Sequence, residues 1–203
     1  VQNTYILEGI AMLQEGIPPA VIENLGKQAG MPTGPLELAD EVSLKIVMEY
    51  ENQAAEHYGK KYIQHPAVET LKKMIETFKR FGAYKQRGFF NYQDKVRVSL
   101  WKELPEHFPV SNNFPDKQIL MDRLLFAQVV EAVWCLQEKV VQTVAEANLG
   151  SIHGWGFPKF RGGVIQFIHD YGVDNFIEKC QSFKKQYGAR FSAPSILRGK
   201  EGI

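Results

Sequence analysis

The chain has 203 residues, 44% of them hydrophobic and 23% charged, with 24 basic against 23 acidic side chains and a formal net charge of +1. This suffices for one or two globular domains with a substantial core. No run of about eighteen apolar residues is present to span a bilayer, and the balanced charge creates no global field that would gather nucleic acid.

The chain opens on Val1 with the apolar rhythm Ile6, Ile10, Leu13 already running and only Asn3 available as a cap, which predicts a piece of a longer protein. No signal peptide is legible in it. Pro18 and Pro19 fit a first helical turn, and Gly30 with Pro32 stops that helix, so residues 18–29 are predicted as a short helix. Val68, Leu71, Ile75 and Phe78 form a stripe at helical spacing. Gly88-Phe89-Phe90-Asn91-Tyr92 is followed by Val96, Val98 and Leu100 alternating with Arg97 and Ser99. This predicts a two-stranded ribbon with Gln93, Asp94 and Lys95 in its turn. Residues 105–115, rich in Pro, Ser and Asn, have the composition of a linker. From Asp116 to Glu138 apolar residues cover more than one face, as in a central buried helix. Val173, Phe176, Ile177, Cys180, Phe183 and Tyr187 form a last stripe, with Gly188 expected as a left-handed cap.

The two halves resemble each other. Ile6, Glu8, Leu13, Gln14 and Glu15 recur as Val129, Glu131, Leu136, Gln137 and Glu138. Asn24-Leu25-Gly26 returns as Asn148-Leu149-Gly150, Gly30-Met31-Pro32 as Gly156-Phe157-Pro158, and Gly34 and Leu36 as Gly163 and Ile165. An ordered series with Gly and Pro at turns points to duplication, and two such units would bury their apolar faces against each other. The fold class expected is mainly α: a first helical copy with its ribbon over 1–104, a linker over 105–115 and a second copy over 116–203.

The standard chemical signatures are missing from this sequence. Gly154-Trp155-Gly156 has Lys159 where a dinucleotide turn needs its third glycine. No phosphate-cradling loop, nucleophile elbow or zinc-binding helix motif appears. The histidines at 57, 65, 107, 153 and 169 are scattered, and even His153 with His169 lacks the companions of a metal site. Lys79, Arg80, Lys85, Arg87, Lys95 and Arg97 interleave with Phe81, Tyr84, Phe89, Phe90 and Tyr92, but a solvated ribbon with basic flanks explains this better than nucleic-acid binding. Two intracellular-type free cysteines, Cys135 and Cys180, point to a reducing, cytoplasmic setting. Glu8 and Glu131 read as buried helix-to-helix acceptors, since no catalytic constellation surrounds them.

The loops carry a specific resemblance. Gly30-Met31-Pro32-Thr33-Gly34-Pro35-Leu36-Glu37-Leu38-Ala39-Asp40-Glu41-Val42, then Gly88-Phe89-Phe90-Asn91-Tyr92, Gly154-Trp155-Gly156-Phe157-Pro158 with Arg161-Gly162-Gly163, and Tyr187-Gly188-Ala189-Arg190-Phe191 with Pro194 and Leu197 resemble the C-terminal domain of the 3-hydroxyacyl-CoA dehydrogenases of fatty-acid β-oxidation, in its long form with two tandem copies. The resemblance implies a duplicated helical domain of the 6-phosphogluconate-dehydrogenase C-terminal-like type. It also implies an NAD-binding Rossmann domain ahead of this chain, an acyl-CoA substrate and association with other β-oxidation enzymes.

Under that resemblance the hydride chemistry lies in the Rossmann domain, so this chain holds no catalytic, cofactor-binding or metal-binding residue and is expected to be inactive alone. The family's Asn-Arg pair falls ahead of Val1 in the first copy, where Asn3 has the wrong spacing. In the second copy Asp122-Arg123 stands in its place, and Arg123 is expected to anchor a helix. Met31, Pro32, Gly34 and Pro35 are the candidate substrate-binding residues. The alternative is a free-standing helical protein-interaction module.

Overall fold

The computed structural model describes residues 1–198, and these form a mainly helical protein with one small sheet. In chain order the elements are α1 (Gln2–Gln14), α2 (Pro19–Gln28), α3 (Pro35–Val42), α4 (Leu44–Tyr58), α5 (Ala67–Lys72), β1 (Phe90–Gln93), β2 (Val96–Leu100), α6 (Leu104–His107), α7 (Lys117–Gln137), α8 (Val144–Trp155), α9 (Val164–Tyr171) and α10 (Val173–Tyr187). No helix among the described residues is long and apolar enough to cross a membrane. Two compact units result. One comprises Ile6–Lys27 with Thr33–Asp116, and the other Val1–Tyr5, Gln28–Pro32 and the described residues from Lys117 to Arg198.

In the first unit Pro19 opens α2 and Pro35 opens α3, positions where a missing N–H costs nothing. The joint between α3 and α4 is Ser43, held at φ 89°, ψ 125°. The stripe predicted after Val68 changes course, because α5 passes into a π-turn over Lys73–Thr77. One extra residue per turn rotates the following side chains, so Met74 is fully buried while Ile75 and Phe78 are half-buried.

The ribbon forms where the alternation placed it. Its turn is the two residues Asp94 and Lys95, both at positive φ, and Gln93 pairs with Val96 inside the ladder. Its outward side carries Val96 and Val98, which are 66% and 62% exposed. Arg97 instead pairs with Glu37 of α3 and lies 5.0 Å from the Phe90 ring centroid. An ion pair over an aromatic face thus fixes which side of β2 turns in.

The stretch that reads as linker begins inside α6, with Pro105 in its first turn. Trp101, Leu104 and Phe108 are buried, and the His107 ring lies 4.2 Å from Phe78 and 5.2 Å from Trp101. Ser111 N–H donates to Gly16 O at 2.8 Å, which secures the chain beyond α6.

The second unit is organised on α7, apolar nearly all round as its sequence predicts. Phe126 stacks on Phe176 at 4.5 Å and meets Phe167, Tyr171 and Phe183 edge-on. Offset and edge-to-face pairs of this kind add to the burial of the rings themselves. Phe176, Ile177, Cys180 and Phe183 of α10 are buried as expected. Gly188 departs from the expected left-handed cap: at φ 104°, ψ 179° it occupies a region essentially reserved for glycine. α8 starts with a capping box in which Thr143 Oγ1 accepts from Glu146 N–H and Glu146 accepts from Thr143 N–H.

Candidate functional site

The four candidate residues have different surroundings. Met31 is buried in the second unit, where its Sδ lies 3.7 Å from Gln128 Nε2. Pro32 is exposed beside Gly156, on which a Cβ would stand 2.8 Å from Pro32 Cγ. Gly34 and Pro35 are buried in the first unit. Pro35 fills the space over Gly9, where an added Cβ would meet Pro35 Cβ at 2.4 Å. Gly34 is pressed against Glu23, with room for no side chain: a Cβ would fall 2.3 Å from Glu23 Oε2.

Glu23 is the reason for that close approach. α3 lacks a side-chain cap of its own, and Glu23 reaches across from α2 to serve. Its Oε1 accepts from Leu36 N–H at 2.7 Å and, more weakly, from Glu37 N–H at 3.4 Å. Its Oε2 is buried without a hydrogen-bond partner. Burial pushes this carboxyl up to about 7, against the pull of the two amides.

In the second unit Asn148 of α8 performs the same service for α9, with Oδ1 accepting from Ile165 N–H at 2.8 Å and Gln166 N–H at 3.3 Å. Gly163 lies against Asn148 as Gly34 lies against Glu23. Glu23 and Asn148 thus play the same part, each in its own unit.

Asp40, on α3, is fully buried and binds the entry to the ribbon. Its Oδ1 accepts from Phe89 N–H and its Oδ2 from Phe90 N–H, both at 2.8 Å, and Tyr92 Oη donates to Oδ2 at 3.1 Å. Burial again outweighs these donors and pushes the carboxyl up to about 7. Arg80 completes the arrangement. It donates to Gly88 O, Phe90 O and Asn91 Oδ1 and lies 4.4 Å from the Trp101 ring. Two of the six basic residues that interleave with the aromatics, Arg80 and Arg97, are thus committed to holding the ribbon.

Glu8 and Glu131, matched in sequence, differ in surroundings. Glu8 is fully buried with Oε2 3.7 Å from His65 Nε2. His65 Nδ1 accepts from Ala67 N–H at 3.2 Å, so the ring proton sits on Nε2, toward Glu8. Glu131 is only half-buried, so the expected second fully buried acceptor is not there.

Arg123 is fully buried on α7, with its guanidinium 3.6 Å from the centroid of Tyr187 on α10. This joins the two helices by a cation–π contact. Asp122 beside it accepts from Gln118 and lies 3.4 Å from Lys179 Nζ. Among the described residues no group of three or more His, Cys, Asp or Glu side chains is placed to hold a metal ion.

The arrangement is chemically conservative: its carboxylates and arginines bind backbone, rings and each other. Residues 1–92 match the family model described as 3-hydroxyacyl-CoA dehydrogenase, C-terminal domain. The dehydrogenase-domain match therefore takes in Met31, Pro32, Gly34, Pro35, Asp40 and the start of the ribbon.

Beyond it, the chain is 26% identical over 199 residues to the fatty acid oxidation complex subunit alpha of Idiomarina loihiensis, covering 96% of this chain and 27% of that protein. The chain thus spans about a quarter of that relative's length. Its fold is shared with 3-hydroxybutyryl-CoA dehydrogenase from Escherichia coli K12, at a TM-score of 0.72 and 15% identity over 97% of this chain and 57% of that one. It is shared also with the dehydrogenase part of multifunctional enzyme 1 from C. elegans, at 0.60 and 15% over 96% and 46% respectively.

No local pattern in the sequence marks Glu23 or Arg80 for these roles. Gln128 carried the one available signal, a lone amide in the apolar run of α7.

Proposed function

We propose that this chain is the substrate-side and assembly portion of an NAD-dependent 3-hydroxyacyl-CoA dehydrogenase that oxidises 3-hydroxyacyl-CoA to 3-oxoacyl-CoA in cytoplasmic fatty-acid β-oxidation. The observation that carries the reading is the family match of residues 1–92, which includes the whole Gly30–Val42 motif. Among the described residues the only sheet is an antiparallel ribbon, and Gly154-Trp155-Gly156 follows a helix, not a strand. The described residues offer no strand, glycine-rich turn and helix in succession, and on this reading NAD belongs to a separate Rossmann domain.

On this reading the second half is a further copy, with the first over 1–104, a connection over 105–115 and the second over 116–203. Support comes from element lengths, since α3 and α9 each have 8 residues and α4 and α10 each have 15. The joints agree too: Ser43 at φ 89°, ψ 125° corresponds to Gly172 at φ 85°, ψ 123°. Glu23 and Asn148 then serve as corresponding caps.

Met31, Pro32, Gly34 and Pro35 border the acyl chain of the substrate. Their part is to offer a wall that does not rearrange and that keeps water from the reacting end. Rigid turns suit that task, because ordering a mobile loop at each binding event would weaken affinity. The other β-oxidation enzymes are partners of the assembled protein.

The test is an assay of the chain with acetoacetyl-CoA and NADH, alone and with a nucleotide-binding domain from a related dehydrogenase. Turnover only in the mixture, with acyl-CoA specificity, is the expected result. Turnover by the chain alone, or none in a mixture shown to associate, overturns the proposal.

A further inference from the structure

Gln128 is fully buried in the second unit, on a helix otherwise apolar at its level. A buried amide needs partners for both ends. Its Oε1 accepts from Trp155 Nε1–H at 3.0 Å, and because an indole nitrogen only donates, this bond fixes which way the amide points. Its Nε2 donates to Leu124 O at 2.9 Å and faces Met31 Sδ at 3.7 Å.

One side chain therefore holds the Gly30–Pro32 turn and the Trp155–Pro158 turn together. The fit around it is tight: a Cβ on Gly30 would meet Phe160 Cε1 at 2.5 Å and Pro158 Cβ at 2.8 Å, and one on Gly156 would meet Pro32. Met31 is the buried floor of the first turn and Pro32 its exposed crest.

We infer that Gln128 is a positioning residue for substrate selection: by fixing Met31 against Trp155 it sets where Pro32 stands, and so how long an acyl chain the apolar border accepts. The inference rests on the proposed dehydrogenase reading, in which this turn borders the acyl chain. Gln128 itself touches no substrate. Its loss should alter discrimination between chain lengths through KM, since a border that shifts changes contacts with distal methylenes and leaves the reacting end in place.

The experiment uses Gln128→Met, which keeps length and helix preference but donates nothing to Met31 and offers Trp155 only a thioether sulfur, a far weaker acceptor than an amide oxygen. In the 203-residue chain labelled with 15N, the indole N–H signal of Trp155, identified by its loss in Trp155→Phe, should move while those of Trp101 and Trp134 stay. No movement overturns the inference. In the enzyme assembled with a nucleotide-binding domain, the ratio of kcat/KM for a sixteen-carbon over a four-carbon 3-oxoacyl-CoA should change by about five-fold or more, carried by KM, with kcat on the short substrate changing less than about two-fold. An equal fall on both substrates, or no change on either, is the result of a purely structural role and overturns it.

Met31→Ala separates the two levels. If Met31→Ala shifts the ratio and Gln128→Met does not, the assignment of Gln128 fails and the acyl-border reading stands. If neither Met31→Ala nor Pro32→Ala shifts it, or the assembly has no activity on any acyl-CoA, the reading itself fails and the assignment goes with it.

Discussion

Asp40 and Gly88 occupy one space: a Cβ on Gly88 would lie 1.8 Å from Asp40 Oδ1. The missing side chain lets the carboxylate of α3 reach the Phe89 and Phe90 amides and hold the ribbon's first strand. Gly88→Ala must push Asp40 away, leaving two buried N–H groups and the Tyr92 hydroxyl short of an acceptor. We expect a loss of about 2 to 4 kcal/mol in urea unfolding, the range of a broken buried polar network. A midpoint equal to wild type would show that Asp40 does not secure the ribbon.

Glu23 gives a pH prediction of definite sign. Its folded-state pKa, raised by burial to about 7, lies above the ordinary value of 4.5, so the folded protein holds the proton more tightly than the unfolded chain does. The stability linked to this proton is fully present below about pH 4.5 and is lost as pH rises through about 7. Asp40 acts in the same direction. Glu23→Gln removes one of the two titrations while keeping an oxygen for Leu36 and Glu37, as Asn148 does in the second unit. The expected result is a smaller fall in melting temperature between pH 5 and pH 8 than in wild type, with stability at pH 5 within about 1 kcal/mol. An unchanged pH slope would place the titration elsewhere.

These residues mark what was legible in the sequence. Periodicity located α2, α7, α10 and the ribbon, because each is long or strictly alternating and bounded by Gly or Pro. It does not show a face where a single local event intervenes. The π-turn after Lys72 moves burial from Ile75 to Met74, and the Arg97–Glu37 pair turns Val96 and Val98 outward. Glu23 and Asp40 act on backbone amides 13 and about 50 residues away, and no local pattern encodes such a partner. The motif loops were readable as rigid turns. Their fit to Gln128 depends on a tertiary approach between residues 97 apart.

Asn148 should be the more forgiving of the two caps. Asn148→Ala removes the acceptor for Ile165 and Gln166 N–H at the start of α9, and we expect it to cost about 1 to 2 kcal/mol, as loss of a helix cap does. Asn148→Asp keeps an oxygen in place and adds a negative charge beside the positive end of the helix. It should stay within about 0.5 kcal/mol of wild type at neutral pH. Equal losses in Ala and Asp variants would mean that the side-chain nitrogen, not Oδ1, matters here.

The joint between α3 and α4 predicts a stabilising substitution. Ser43 stands at φ 89°, ψ 125°, a conformation that an L side chain adopts only under strain, and the joint between α9 and α10 has glycine in the matching conformation. The serine gives no side-chain cap to α4 in return, so its Cβ carries a cost without a bond to offset it. Glycine relieves strain of about 1 to 3 kcal/mol but frees the unfolded chain by up to about 1 kcal/mol. Ser43→Gly should therefore raise stability by about 1 kcal/mol, seen as a higher melting temperature. Gly172→Ser should lower it by a similar amount or more, since the backbone there must enter the same unfavourable region. Opposite signs for the two exchanges are the expected outcome, and a fall in both would show that Ser43 contributes a contact worth more than its strain.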